Sequence, residues 1–157
     1  MPQSSAAAVV DALQSLHEAE QGSVFRLMGE GSPFVTTAPE DVRAPLRRLH
    51  DVNRRHRDEL ATAIRQLGGG APASRPPAGP VGEESYLKFL SLKFLVPKLL
   101  HEKELMLQRY NNALRALPKT APPDVADLLK RQVAEQSANV DELQATVARV
   151  TTPARSS

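Results

Sequence analysis

The chain has 157 residues, enough to bury a core of its own, with 41% hydrophobic residues, only 4% aromatic and no Trp. Its net charge of +2 is too small to argue for nucleic acid, and the absence of Cys excludes disulfides, thiolate chemistry and Cys-held zinc. No run reaches the ~18 apolar residues of a membrane span. Met1 to Ser5 lacks the basic start of a signal peptide, and Asp11 and His17 break any apolar core behind it, so the expectation is one cytoplasmic domain over residues 1–157.

Ala, Leu, Arg, Glu and Gln dominate, which favours helix, and four helices can be read in order. The first runs from about Ser5 to Met28 on the stripe Val9, Leu13, Leu16, Glu20, Val24, Leu27, ended by Gly29 and Gly31. The second runs from about Pro39 to Leu67, with Thr37 and Glu40 as a capping box and Pro45 as a kink or restart. Its inward stripe is Leu46, Leu49, Asn53, His56, Leu60, Ala63, Leu67, and Gly68-Gly69-Gly70 stops it. A core stripe that gives two successive turns to Asn and His needs a partner for both, because buried polar groups are costly unless satisfied.

The third helix, about Glu83 to Leu117, is the most apolar, with Pro97 expected to kink it; the fourth runs from about Pro122 to Val150 with Thr120 as its cap. The fourth helix's stripe passes through Leu129, Val133, Gln136, Val140 and Leu143. The linker Gly68 to Gly82 is rich in Gly and Pro. Extended, it spans roughly 50 Å, more than the ~30 Å of a 20-residue helix, so it can run the length of a bundle. The fold class is therefore all-α, a four-helix bundle of two hairpins joined by a long crossover between helices two and three. A short internal match, Leu16-His17-Glu18-Ala19-Glu20 with Leu100-His101-Glu102-Lys103-Glu104, fits two hairpins and pairs Glu20 with Glu104.

At Asn53-Arg54-Arg55-His56-Arg57-Asp58-Glu59-Leu60, followed by Ile64 and Leu67-Gly68-Gly69, the chain resembles the ferritin-like superfamily, whose second helix often reads Glu-x-x-His-x-x-x-Leu before a Leu-Gly-Gly turn. Leu95-Val96-Pro97-Lys98 through Glu104 and Tyr110 also looks like uncharacterised bacterial members of it. The resemblance implies a ferritin-like bundle in which the first and third helices each give one Glu, and the second and fourth each give Glu-x-x-His, to two iron or manganese ions. Carried over residue by residue, it implies metal ligands at Glu20, His56 and Glu104, with Glu102 as an alternative to Glu104. The remaining positions are Asn53, Gln136 and Asn139, all neutral amides, and Glu135 is adjacent but turned about 100° away.

That set is short of the anionic oxygens that two divalent ions need. Two functions compete: a non-catalytic helical scaffold or protein-interaction module with a polar core of Asn53, Gln136 and Asn139 in place of the metals, or a metal-binding oxidoreductase or iron-handling protein using Glu20, His56 and Glu104. Asn53 and Asn139 could instead pair with each other, and Glu20 and Glu104 with Lys103, Arg109 or His56, while His17, His50 and His101 read as exposed. The arginines from Arg43 to Arg57 mix with Asp51, Asp58 and Glu59 and read as a solvated face. The apolar excess of the third helix, with Leu87, Phe89, Leu92, Phe94, Leu95, Leu99, Met106 and Tyr110, points to a homodimer or protein-partner contact there.

Overall fold

A computed structural model describes residues 5–29, 38–70 and 91–151. These form α1 (Ser5–Gln21), a 3-10 turn (Val24–Gly29), α2 (Glu40–Gln66), α3 (Leu92–Ala116) and α4 (Pro123–Thr151), with no strand among the described residues. The expected crossover beyond residue 70, and the expected start of the third helix at Glu83, lie outside them.

The first helix stops about two turns earlier than its stripe suggested. After Gly22, Ser23 turns both its backbone N–H and its hydroxyl onto the Glu20 carbonyl, at 3.2 and 2.9 Å. That carbonyl is thereby withdrawn from the helix ladder, because Ser side chains compete with backbone bonding. The chain tightens into the 3-10 turn, which delivers Val24 and Phe25 to the core.

On α2 the buried residues are Val42, Pro45, Leu46, Leu49, Asn53, His56, Leu60, Ala63 and Ile64, the expected stripe except that Leu67 is only half-buried. The N-cap is Pro39, with no side-chain cap; its carbonyl accepts from Val42 and Arg43 at 3.0 and 2.8 Å. Thr37 lies outside the described residues. The helix ends in a Schellman turn: Gly69 N–H bonds to Ile64 O and Gly68 N–H to Arg65 O, with Gly68 at φ 81°. Gly is the residue that tolerates this left-handed position. The helices continue through Pro45 and Pro97. On α4, Val125 and Ala126 donate to the Pro122 carbonyl, so Pro122 and not Thr120 closes the first turn.

Contacts fix the helix directions. Glu20 meets Asn53 while Gly69 lies against Val10, so α1 and α2 are antiparallel. Arg149 reaches Asp41, Arg48 reaches Glu142 and Arg131 reaches Glu59, so α4 is antiparallel to α2. Lys103 meets Phe25 while Tyr110 meets Glu20, so α3 is antiparallel to α1. It follows that α2 and α3 run the same way, as two hairpins joined by a crossover require.

Apolar packing divides into two clusters. One, at the start of α2 and α3, holds Phe25, Leu46, Leu49, Leu95, Leu99 and Leu143. The other, at their far ends, holds Leu13, Leu60, Ile64, Met106, Val125 and Leu129. Between them the interior is polar: Glu20, Asn53, His56, Lys103, Gln132 and Gln136 are all fully buried.

Candidate functional site

The polar layer is built around one carboxylate. Glu20 Oε2 accepts from the Tyr110 hydroxyl at 2.9 Å and the Gln136 amide at 3.3 Å, and lies 3.4 Å from His56 Nδ1. Its Oε1 accepts from Asn53 Nδ2 at 3.0 Å, and the same nitrogen lies 3.0 Å from the Glu20 carbonyl oxygen. Both amides are oriented by donor-only neighbours. Arg57 Nε donates to Asn53 Oδ1 at 3.0 Å, which turns the Asn53 nitrogen inward. Lys103 Nζ donates to Gln136 Oε1 at 2.8 Å, which turns the Gln136 nitrogen toward Glu20 and toward His56 Nδ1, 3.1 Å away.

Ionisation follows from this arrangement. Burial alone would push the Glu20 carboxyl up, but the hydrogen bond with His56, the Lys103 charge and the Tyr110 hydroxyl outweigh it and hold Glu20 below the ordinary carboxylate value. Burial lowers the Lys103 ammonium to about 8 against the opposing pull of Glu20. The Lys103 ammonium also sits 4.3 Å from the centre of the Phe25 ring, a cation–π contact that replaces part of its lost hydration. Burial, then the Glu20 charge, pushes the Tyr110 phenol well above its ordinary value.

Three expected residues fall elsewhere. Glu104 and Glu102 are both exposed and do not face the layer. The α3 residue that does is Lys103, because the buried stripe of that helix runs Leu99, Lys103, Met106, Tyr110 and Glu104 is turned about 100° off it. The match between residues 16–20 and 100–104 therefore has no structural counterpart. Asn139 is 8% exposed, but its Nδ2 has no hydrogen-bond partner; it does not pair with Asn53. Of the histidines read as exposed, His101 is, His50 is half-buried, and His17 is 8% exposed because α1 buries Leu16 and His17 side by side. Burial, then the nearby Arg57 charge, lowers the His17 pKa. The arginine face of α2 is engaged within the chain: Arg43 and Arg47 with Glu40, Arg48 with Glu142, and Arg55 with Glu135.

Lys103, which the sequence offers only as a pairing partner for Glu20 or Glu104, is the α3 member of the layer. Its signal was present: Leu99, Lys103, Met106 and Tyr110 follow the four-three-four spacing of a core stripe.

A family model for the ferritin-like domain matches residues 34–152. The chain belongs to the ferritin-like family. No curated protein and no solved structure matches it. Among the described residues no helix is long and apolar enough to cross a membrane.

The family implies iron or manganese at the bundle centre, and the residues present do not fit two such ions. A metal needs electron-pair donors aimed at one point. Here Tyr110, Asn53 and Gln136 aim hydrogens at Glu20, and an ammonium occupies the α3 position. The layer holds one carboxylate surrounded by proton donors.

Proposed function

We propose that this ferritin-like chain is a non-catalytic helical scaffold or protein-interaction module whose polar core stands where relatives hold a di-metal centre. The observation that carries this reading is the Lys103 ammonium, fully buried and bonded to Gln136, in the layer with Glu20. It supplies there the positive charge that metal ions would otherwise bring to the carboxylate. The partner face is on α3. Most of its apolar residues are spent inside the chain, since Leu95, Leu99, Met106 and Tyr110 are buried, whereas Phe94 and Leu105 remain 62% and 41% exposed. They lie eleven residues apart, within about 20° of each other round the helix, so they share one outer stripe suited to a second copy or another helix.

Anaerobic titration with ferrous iron tests the core reading. The natural protein is expected to take up no paired ions. The combination Asn53→Glu, Lys103→Glu, Gln136→Glu and Asn139→His, which puts electron-pair donors where the amides and the ammonium now stand, is expected to gain binding. Two equivalents held tightly by the natural protein would overturn the scaffold. Light scattering of the natural protein and of Phe94→Glu tests the α3 face; a monomer at every concentration would remove the homodimer.

A further inference from the structure

At the edge of the polar layer α2 and α4 face each other, and His56, Glu59 and Glu135 each offer one donor atom, all within 4.8 Å of one another. Two orphaned atoms mark the same place. His56 is fully buried, and its Nε2, 3.7 Å from Glu135 Oε1, has no hydrogen-bond partner. Gln132 is also fully buried; its nitrogen donates to Glu59 Oε1 at 3.2 Å, while its oxygen has no partner. Native interiors rarely leave such atoms unsatisfied, and a missing ion is one cause.

We propose that His56 Nε2, Glu59 and Glu135 bind one divalent transition-metal ion, zinc fitting best, between α2 and α4. One imidazole and two carboxylates are a three-ligand set that leaves a fourth position for water or the Gln132 oxygen. The imidazole selects against magnesium and calcium, which prefer all-oxygen sites. Two carboxylates balance the ion's double charge.

This site shares only the His56 position with the family's central pair and lies to the side of it, between α2 and α4. Glu59 and Glu135 occupy none of the positions that the family uses, and His56 presents the nitrogen facing away from Glu20. The central layer instead supports the lateral one. When Nε2 binds an ion, the ring proton resides on Nδ1, which faces Glu20 Oε2 at 3.4 Å, and the Gln136 amide, 3.1 Å from the same nitrogen, then donates to Glu20 alone. A carboxylate behind a ligating imidazole fixes its tautomer and raises its basicity.

A guanidinium now holds the two carboxylates together. Arg131 bonds to Glu59 and, at 2.7 Å, to Glu135, and Arg55 pairs with Glu135. Their side chains are 47% and 50% exposed, so both can turn to water when an ion takes the carboxylates. Metal and Arg131 therefore compete, and removing Arg131 should strengthen binding.

Calorimetric titration of the full chain with Zn²⁺, paired with visible absorption on Co²⁺, tests this. One equivalent is expected, with the intense absorption of a tetrahedral cobalt site. Arg131→Gln should tighten binding. Glu135→Gln should abolish the cobalt bands while leaving the helical circular dichroism unchanged, since that side chain is not in the core. Glu20→Gln should weaken binding by roughly 10- to 100-fold, as loss of an outer partner does. The proposal falls if neither the natural chain nor Arg131→Gln binds an equivalent, or if Glu135→Gln binds as tightly as the natural chain. The scaffold reading falls separately, through a second equivalent that survives Glu135→Gln and is lost in Glu20→Gln.

Discussion

The ends of this bundle and its waist hold together by different means. At the ends, leucines such as Leu46 and Leu129, 1% and 0% exposed, interdigitate without directional demands. At the waist, each contact has a donor and an acceptor in a required orientation: reversing the Gln136 amide would face its nitrogen to Lys103 and its oxygen to Glu20, unpairing both. Apolar ends supply stability in proportion to area removed from water. A polar waist contributes less net energy per contact, yet one misplaced partner leaves a buried group unsatisfied. The comparison separates what makes the chain collapse from what fixes how its helices meet.

The strongest way to break that comparison is at the ends. Leu129→Ala should cost about 2–5 kcal/mol through lost transfer energy and a residual cavity, read as a lower denaturation midpoint with unchanged slope. A cost below about 1 kcal/mol would mean that the far-end cluster is loosely packed.

The waist is sharpened by pH. Lys103 titrates at about 8 in the fold against 10.5 for the free side chain. Above pH 8 the folded chain releases this proton while the unfolded chain retains it, so the unfolded state binds more protons and stability rises with pH. Below pH 8 the burial penalty is present in full. Above 10.0, the ordinary phenol value, Tyr110 works the opposite way, since the unfolded phenol ionises and the folded one does not. Between pH 8 and 10, then, the natural protein should gain on the order of 2 kcal/mol relative to Lys103→Met, from ~1.4 kcal/mol per pH unit. Parallel urea titrations of the two proteins would check it, and a flat difference would place Lys103 outside the low-dielectric interior.

Tyr110→Phe removes one of several donors to Glu20 and should cost about 1.5–3 kcal/mol, the range for a hydrogen bond to a charged group. Combined with Glu20→Gln, the loss should be less than the sum of the single losses, because the two share an interaction. Least affected is the surface: Arg48→Ala breaks the pair with Glu142 and should cost about 0–1 kcal/mol.

Most of the fold was legible because it is written in spacing. The α2 stripe can be counted in threes and fours, Gly68 and Gly69 mark its end, and the length of the following segment asks for a crossover. The polar layer was legible on α1, α2 and α4, where Glu20, Asn53, His56 and Gln136 interrupt apolar runs. On α3 it was legible only in part: Lys103 stood as a pairing partner for Glu20, while the layer position itself was assigned to Glu104, the neighbouring carboxylate that matched a motif. The lateral cluster was less visible still. Glu59 and Glu135 sit on helix flanks, and their approach to His56 depends on how α2 and α4 face each other, which one strand of text does not encode. The early stop of α1 was hidden for a similar reason: it depends on a Ser23 hydroxyl choosing a carbonyl.

The arrangement around Glu20 has one more consequence. Several inward-facing donors, closed off from water, form a receptor for a small carboxylate whose guest happens to be tethered to α1. Glu20→Ala would detach the guest and leave the host, with Tyr110, Asn53 and Gln136 still aimed at an empty pocket and the Lys103 charge behind Gln136. Formate or acetate should then re-enter and restore thermal stability to that variant in a concentration-dependent manner, while chloride at the same ionic strength should not.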